Sequence, residues 1–382
     1  MNLLRNFLDK QKPKFEKGGK MYKLHSVFTG FESFLFVPDK TTDSGAHIRD
    51  AVDLKRTMIV VVLALMPALL FGMYNIGYQH FGGATEGFWT IFLYGFLKVL
   101  PLIIVSYVVG LGIEFAAAQI RGHEINEGFL VTGMLIPMII PIEAPLWMVA
   151  VATAFAVIIG KEIFGGTGMN IWNPALLARA FFFFSYPSQM SGDAVWIADK
   201  TDVISGATPL ANAAQGFLDK IPDTATMFWG FIPGSVGETS TFCILIGAII
   251  LLCSGVGNLR VMFSVFLGGF LMACLLHGLL PETNSYSHIS ALQHLVMGGF
   301  AFGAVFMATD PVSSAQTNVG KIIYGFLIGV MAILIRVLNP GYPEGMMLAI
   351  LLMNTFAPLI DWFVVQSNIR RRMNRIKINV NN

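Results

Sequence analysis

The chain has 382 residues, of which 55% are hydrophobic and only 13% charged. A soluble domain carries about twice that charged fraction, so a water-exposed globule is excluded and the bilayer is the expected solvent. The formal net charge of +2 gives no reason to expect a nucleic-acid partner.

Met1 to about Arg56 is polar, basic and interrupted by Gly and Pro, and reads as a partly helical cytoplasmic segment. Met1–Lys23 is charged and mixed, without the apolar core of a signal peptide. Apolar runs then predict helices near Thr57–Tyr74, Phe88–Ile113, Phe129–Ile142, Leu146–Ile159 and Pro174–Tyr186. A polar stretch, 187–240, separates these from Thr241–Cys253, Val261–Leu280, His294–Ala308, Lys321–Leu338 and Gly345–Val365. Several of these ten runs fall short of the roughly 20 residues of a full span. Short segments broken by Gly and Pro suggest discontinuous helices around a midplane site. The expected fold is therefore all-α and polytopic, with about ten transmembrane helices. The expected organisation is a cytoplasmic segment 1–56, a five-helix unit 57–186, a periplasmic loop 187–240, a second five-helix unit 241–365 and a basic tail 366–382.

Orientation follows the positive charges. With ten spans both termini share a side, and that side collects Arg370, Arg371, Arg372, Arg375, Lys377, Arg121, Lys161, Arg260 and Lys321. The opposite side holds Lys200, Lys220 and Arg336. Both termini are thus expected in the cytoplasm. The two units also echo each other. Gly133–Pro141 aligns with Gly303–Pro311, and at the same offset Asn173-Pro174-Ala175 aligns with Pro343-Glu344-Gly345. Units of five helices insert with opposite topology, so the pattern predicts an inverted repeat with its site between the halves.

Cys243, Cys253 and Cys274 lie in apolar runs without a C-x-x-C pair, which argues against an iron–sulfur cluster held by this chain alone. The histidines show no helix-spaced pair suited to haem. Gly165-Gly166-Thr167-Gly168, followed by Asn170, Asn173 and Pro174, forms a Gly-rich entry to a short helix. Such a turn allows close backbone approach, and Asn side chains pair with donors and acceptors alike. A re-entrant packing turn is the alternative. Charges in apolar surroundings cost roughly 2.5–3.5 kcal/mol each on insertion scales and are functional candidates. They are Glu114 after Gly110 and Gly112, Asp310 before Pro311, Glu344 after Pro343, Asp361 near the end of the last helix, and Arg179 inside a short one. Freed carbonyls beside Asp310 and Glu344 would suit a cation, and ion pairing or capping between helices is the competing role. Phe181-Phe182-Phe183-Phe184 could wall an apolar ligand or simply pack. Lys98 reads as a snorkelling or packing residue.

The 187–240 loop contains Asp202-Val203-Ile204-Ser205-Gly206-Ala207-Thr208-Pro209. Thr208 before Pro209 suits a helix N-cap. D-x-x-S-G-A-T also matches the flavinylation motif, in which the last threonine is joined to the phosphate of FMN; Asp202, Ser205, Gly206 and Ala207 complete it around Thr208. The segments SGAHIRDAVDLKRTM, RGHEINEGF, GKEIFGGTGMNIWNPALLARAF, SGAT, FGAVFMATDPVS and NPGYPEGMMLAILLMN resemble the family of B subunits of sodium-pumping NADH:quinone oxidoreductases. The matches run from about Ser44 to Arg372. The related Rnf-type subunits share the ATDPVS, YPEG-like and NPA patterns, while the first two segments favour the quinone-reducing branch.

The resemblance implies membership of a complex of six subunits in the bacterial inner membrane. Its neighbours would include a C-type subunit that bears FMN and an F-type, NADH-oxidising subunit with FAD and a 2Fe-2S centre. Electrons would pass from covalent FMN on Thr208, through a non-covalent riboflavin between the halves, to ubiquinone or menaquinone, coupled to sodium ion export. Riboflavin is assigned to Gly166, Gly168, Asn170 and Asn173. The quinone region is assigned to Gly110, Gly112, Glu114, Phe181 and Phe183, and the ion path to Asp310, Glu344 and Asp361. A flavin-free small-solute channel or transporter is the alternative.

Overall fold

The computed structural model describes residues 2–16, 18–36, 44–46, 54–121, 128–190, 196–199, 206–281, 284–339 and 341–380. Regular structure among these residues is helical throughout, with no strand. Two helices, α1 (Asn2–Gln11) and α2 (His25–Leu35), lie in the N-terminal segment, as its partly helical reading anticipated. The first helical unit is α3 (Leu54–His80), α4 (Phe88–Arg121), α5 (Phe129–Ile139), α6 (Leu146–Val157) with a π-turn at Ile158–Glu162, and α7 (Pro174–Ser185). The polar stretch that follows holds short helices α8 (Pro187–Met190), α9 (Pro209–Gln215) and α10 (Thr224–Trp229). Then come α11 (Thr241–Cys253), α12 (Leu259–Leu279), α13 (Ala291–Val296), α14 (Phe300–Phe302) with a π-turn at Gly303–Met307, α15 (Asn318–Leu338) and α16 (Met346–Val380).

Five helices are long and apolar enough to cross a membrane: Lys55–His80, Phe88–Arg121, Leu259–Leu279, Asn318–Leu338 and Met346–Arg375. Phe129–Ile139, Pro174–Ser185 and Thr241–Cys253 are shorter apolar helices between them. Large apolar side chains such as Trp89, Leu97 and Val108 point outward. Water does not tolerate such a surface, whereas hydrocarbon does. The protein is a polytopic, all-helical membrane protein.

α3 runs past the expected Tyr74 to His80, and three further departures from the sequence expectation have a local reason. α4 does not stop at Ile113 but runs to Arg121. Gly110 does not break it, because the helix is pinned there by the Phe129 ring, which fills the space a Cβ would need. Phe115-Ala116-Ala117-Ala118-Gln119 then carries it on with alanine-rich helix formers. Glu114 consequently sits inside the helix rather than at its end. The segment expected as one helix from His294 to Ala308 is broken. Gly298 adopts φ +65°, which an L side chain resists, and α13 ends at Val296. The carbonyls of His294 and Met297 are taken up by the guanidinium of Arg336, at 2.6 and 3.1 Å. A buried helix end needs such partners. Finally, α16 continues past Val365, so the basic tail begins as a helical extension.

Without a hydrophobic drive between helices in lipid, close backbone approach supplies the packing. α12 lies along α15, and α15 along α16. At Gly329 of α15 a Cβ would strike the carbonyl oxygen of Val265 and stand 2.5 Å from the Gly269 nitrogen, both on α12. Gly329→Ala should therefore destabilise the bundle by about 1–3 kcal/mol, read as a lower thermal midpoint of the purified protein in detergent. Gly112→Ala, whose Cβ meets nothing within 4 Å, should leave the midpoint unchanged or raised.

Candidate functional site

Thr208 is the N-cap of α9. Its backbone is extended (φ −70°, ψ 156°), Pro209 occupies the first helical position, and Oγ1 accepts from the Ala211 amide at 3.2 Å. Proline at that position costs no hydrogen bond and fixes the helical φ. The cap uses a lone pair and leaves the hydroxyl proton uncommitted, so capping and esterification at Oγ1 are compatible. Gly206 is buried and Ala207 half-buried; Asp202 and Ser205 lie outside the described residues. Thr208 lines a cleft together with Trp196, Phe183, Tyr342, Arg179, Glu238 and Glu344.

That cleft has a charged wall. Arg179, on apolar α7, is 2% exposed. Its Nη1 donates to Glu238 Oε1 at 2.6 Å, and its Nη2 donates to Glu344 Oε2. Ser235 Oγ donates to the other Glu238 oxygen, and the Tyr342 hydroxyl donates to Glu344 Oε2 at 3.3 Å. Burial pushes the Glu238 carboxyl, in the loop before α11, above the usual range; Arg179 pulls it down and Glu344 adds to the rise. Thr239, Arg179 and Glu344 each keep a buried polar atom without a hydrogen-bond partner, and all three line the cleft. Unsatisfied buried groups of this kind mark a site able to take a polar ligand. A flavin, with an apolar ring system and a polar pyrimidine edge, fits a cleft having three aromatic side chains and this polar wall.

The loop leading to the motif is clamped. Asp199 accepts from Lys98 Nζ at 2.7 Å and from the Tyr94 hydroxyl at 2.8 Å, and its own amide donates to Glu143 Oε1 at 2.9 Å. Its φ is +46°, a conformation held only because these contacts over-determine it. His80 Nδ1 lies 2.9 Å from the Ala198 carbonyl. Lys98 thus does more than snorkel: it fixes the segment that brings Trp196 to the cleft.

A second cleft lies where α5, the entry to α7, α11 and the Asp310 turn meet. Asn170, Asn173 and Asp310 all line it, as do Thr167 and Lys161. Asn173 caps α7, with Oδ1 accepting from the Ala175 and Leu176 amides at 3.0 and 3.4 Å, while Nδ2 donates to Asp310 Oδ2 at 3.4 Å. Asp310 also accepts from the Val312 amide at 3.1 Å and Ser313 Oγ at 2.9 Å. Asn170 Nδ2 donates to the Trp172 carbonyl at 2.9 Å. Gly166 and Gly168 (φ +98° and +90°) shape the turn without lining the cleft. The π-turn ending α6 brings Lys161 onto Glu114 in a buried ion pair, and Arg121 Nη1 onto Glu162 at 3.0 Å.

The expected riboflavin and ion-path residues Asn170, Asn173 and Asp310 are therefore brought together. The quinone-region residues are not. Gly110 and Glu114 contact Phe129 and Lys161, Gly112 is open, Phe181 stacks on Phe155 at 4.4 Å, and Phe183 meets Tyr342 at 4.4 Å beside Thr208. Glu344 lines the first cleft, and Asp361 lines neither cleft. Asp361 accepts from the Gln316 amide at 2.6 Å, the Thr317 amide at 3.0 Å and Thr317 Oγ1 at 2.5 Å, and so ties α16 to the start of α15. Glu238, Lys161 and the contact between Arg336 and the α13 end were not singled out as site features from sequence. Among the described residues no group of three or more His, Cys, Asp or Glu is placed to hold a metal.

Two outcomes follow. Arg179→Met leaves two buried carboxylates without their cation and should cost about 3–5 kcal/mol, measured by thermal unfolding. The Asp199 carboxylate is held below its usual range, first by the Lys98 hydrogen bond and then by that of Tyr94. Its contribution is therefore present at neutral pH and lost as pH falls through the carboxylate range. Protease nicking after residue 199 should rise at acidic pH, and Lys98→Met should give that nicking already at neutral pH.

The family model described as NQR2, RnfD, RnfE matches residues 41–370. A protein of Chromohalobacter salexigens, named as the B subunit of a Na(+)-translocating NADH-quinone reductase, is 48% identical, covering 97% of this chain and 96% of its own. Proteins of the same name in Ectopseudomonas mendocina and Pseudomonas aeruginosa are 47% and 46% identical, each covering 97% of this chain and 99% of their own. The chain belongs to the NQR2, RnfD, RnfE family.

Proposed function

We propose that this chain is the B-type membrane subunit of a Na+-translocating NADH-quinone reductase, carrying FMN as a phosphoester on Thr208 and a second flavin, riboflavin, in the Asn170–Asn173–Asp310 cleft. The observation that carries the flavin assignment is the motif threonine itself: Thr208 lines a cleft walled by aromatic side chains and the Arg179 cluster. When bound, flavin supplies reversible one- and two-electron chemistry. The chain supplies the rest. Pro209 and the Ala211 amide hold Thr208 Oγ1 at a helix end, and Asp199 with Lys98 and Tyr94 fixes the approach. Trp196, Phe183 and Tyr342 exclude water. Asp310, half-buried and hydrogen-bonded by Asn173 and Ser313, offers carboxylate oxygens to a sodium ion in the second cleft.

An inverted repeat accounts for the helix order. At the offset that aligns Gly133 with Gly303, Leu146 falls on Gln316 and Pro174 on Glu344, each within two residues of the starts of α15 and α16. Ten membrane segments with both termini cytoplasmic put Thr208 on the outer side, in agreement with the Lys and Arg distribution. Electrons would arrive from a C-type partner that bears FMN, fed by an F-type partner with FAD and a 2Fe-2S centre, and leave to ubiquinone or menaquinone.

A denaturing gel under ultraviolet light tests the assignment. A fluorescent band in the wild type that is absent from Thr208→Ala is expected, and a dark wild-type band would favour a flavin-free transporter. Asp310→Asn should lower sodium-dependent turnover at least tenfold while leaving the gel fluorescence unchanged.

A further inference from the structure

The wall of the Thr208 cleft contains two carboxylates and one guanidinium in direct contact. Arg179 spends Nη1 on Glu238 and Nη2 on Glu344. Glu238 is complete: Oε1 has Arg179 and Oε2 has Ser235. Glu344 is not. Its Oε2 takes Arg179 and Tyr342, but its Oε1 is buried with no hydrogen-bond partner. A bare, buried carboxylate oxygen is among the costliest groups to leave unpaired.

The same oxygen has a neighbour. A Cβ built on Gly299 would stand 2.5 Å from Glu238 Oε1 and 2.7 Å from Glu344 Oε1. The two oxygens thus converge on the same small volume, left open because residue 299 has no side chain. Two carboxylates that converge so closely do not both ionise readily unless cations balance them, and one proton between them removes the repulsion. That proton would also give Glu344 Oε1 the partner it lacks.

The surrounding groups do not supply a substitute. From α7 only Arg179 reaches the pair. Ser235 and Tyr342 donate to the Oε2 atoms, away from Gly299. From α15, Arg336 is fully buried and donates to the His294 and Met297 carbonyls. Its charge acts on Glu344 only from a distance, and it brings no donor to the bare oxygen.

We propose that Glu238 and Glu344 share one exchangeable proton over Gly299, so that with Arg179 they form a proton-holding wall of zero net charge behind Thr208. The proton-holding site stands on this geometry alone. Its consequence for the cofactor rests on the assignment of FMN to Thr208: a neutral wall accepts a phosphodiester and the added negative charge of a reduced flavin, whereas a wall carrying an extra carboxylate repels both.

Infrared spectroscopy of the purified complex, in H2O and in D2O, tests the proposal. A neutral carboxyl C=O band that shifts in D2O is expected in the wild type. It should be lost in both Glu238→Gln and Glu344→Gln, because the single remaining carboxylate pairs with Arg179 and ionises. It should persist in Thr208→Ala, which separates this proposal from the flavin assignment. Survival of the band in either glutamine variant, or its loss in Thr208→Ala, would overturn the shared proton. If a variant does not assemble, carbon-13 glutamate labelling of the wild type decides instead. A D2O-sensitive carboxyl band that moves with the glutamate label supports the site, and no glutamate-derived band at neutral pH rules it out.

Discussion

A fully charged arginine in the middle of an apolar helix is stable only if its counter-ions come to it, and this condition organises the structure around Arg179. α7 contributes the guanidinium, the loop before α11 contributes Glu238, and the turn before α16 contributes Glu344. Three segments far apart in sequence are thereby fixed at one point. Desolvation makes each charge expensive alone and their separation more expensive still. The cleft beside Thr208 inherits its shape from that contact, since Arg179, Glu238 and Glu344 all line it.

The same logic operates where helices break. A discontinuity inside a bilayer exposes backbone groups that only protein can satisfy. At Gly298 the freed carbonyls are met by Arg336. At the end of α6, a π-turn shifts Lys161 onto Glu114. A second π-turn, Gly303–Met307, leads into the turn that carries Asp310. Such turns add a residue to the helical repeat and re-aim the side chains that follow. The polar groups of the second cleft are gathered at these irregular places, and the regular parts of α3, α4, α12 and α15 provide the frame.

Most of the architecture was legible in the chain. The apolar runs placed α11 at both its ends and the starts of α4, α5, α6 and α7, because hydropathy and Gly/Pro punctuation act locally. The N-cap at Thr208 was equally local, needing only a threonine before a proline. Asn173 and Asp310 were chosen for separate reasons and proved to be hydrogen-bond partners. Less legible were the residues whose importance depends on a distant partner. Glu238 lies in a polar loop, and only its contact with Arg179 gives it a place in the cleft. Lys161 counted as one more positive charge on the cytoplasmic side. Asp361 looked like an intramembrane acid, and its oxygens are spent on the Gln316 and Thr317 donors.

What the sequence determined by itself was the solvent, the helical class, the starts of several helices and the N-cap at Thr208, since each depends on neighbours within a turn or two. What only the tertiary structure decided was which charges meet and which stay apart. Phe183 lines the first cleft with Thr208, whereas Glu114 pairs with Lys161, although both belonged to one expected quinone region. Long-range pairing of buried charges is set by how helices cross and where they break, and no local pattern encodes that.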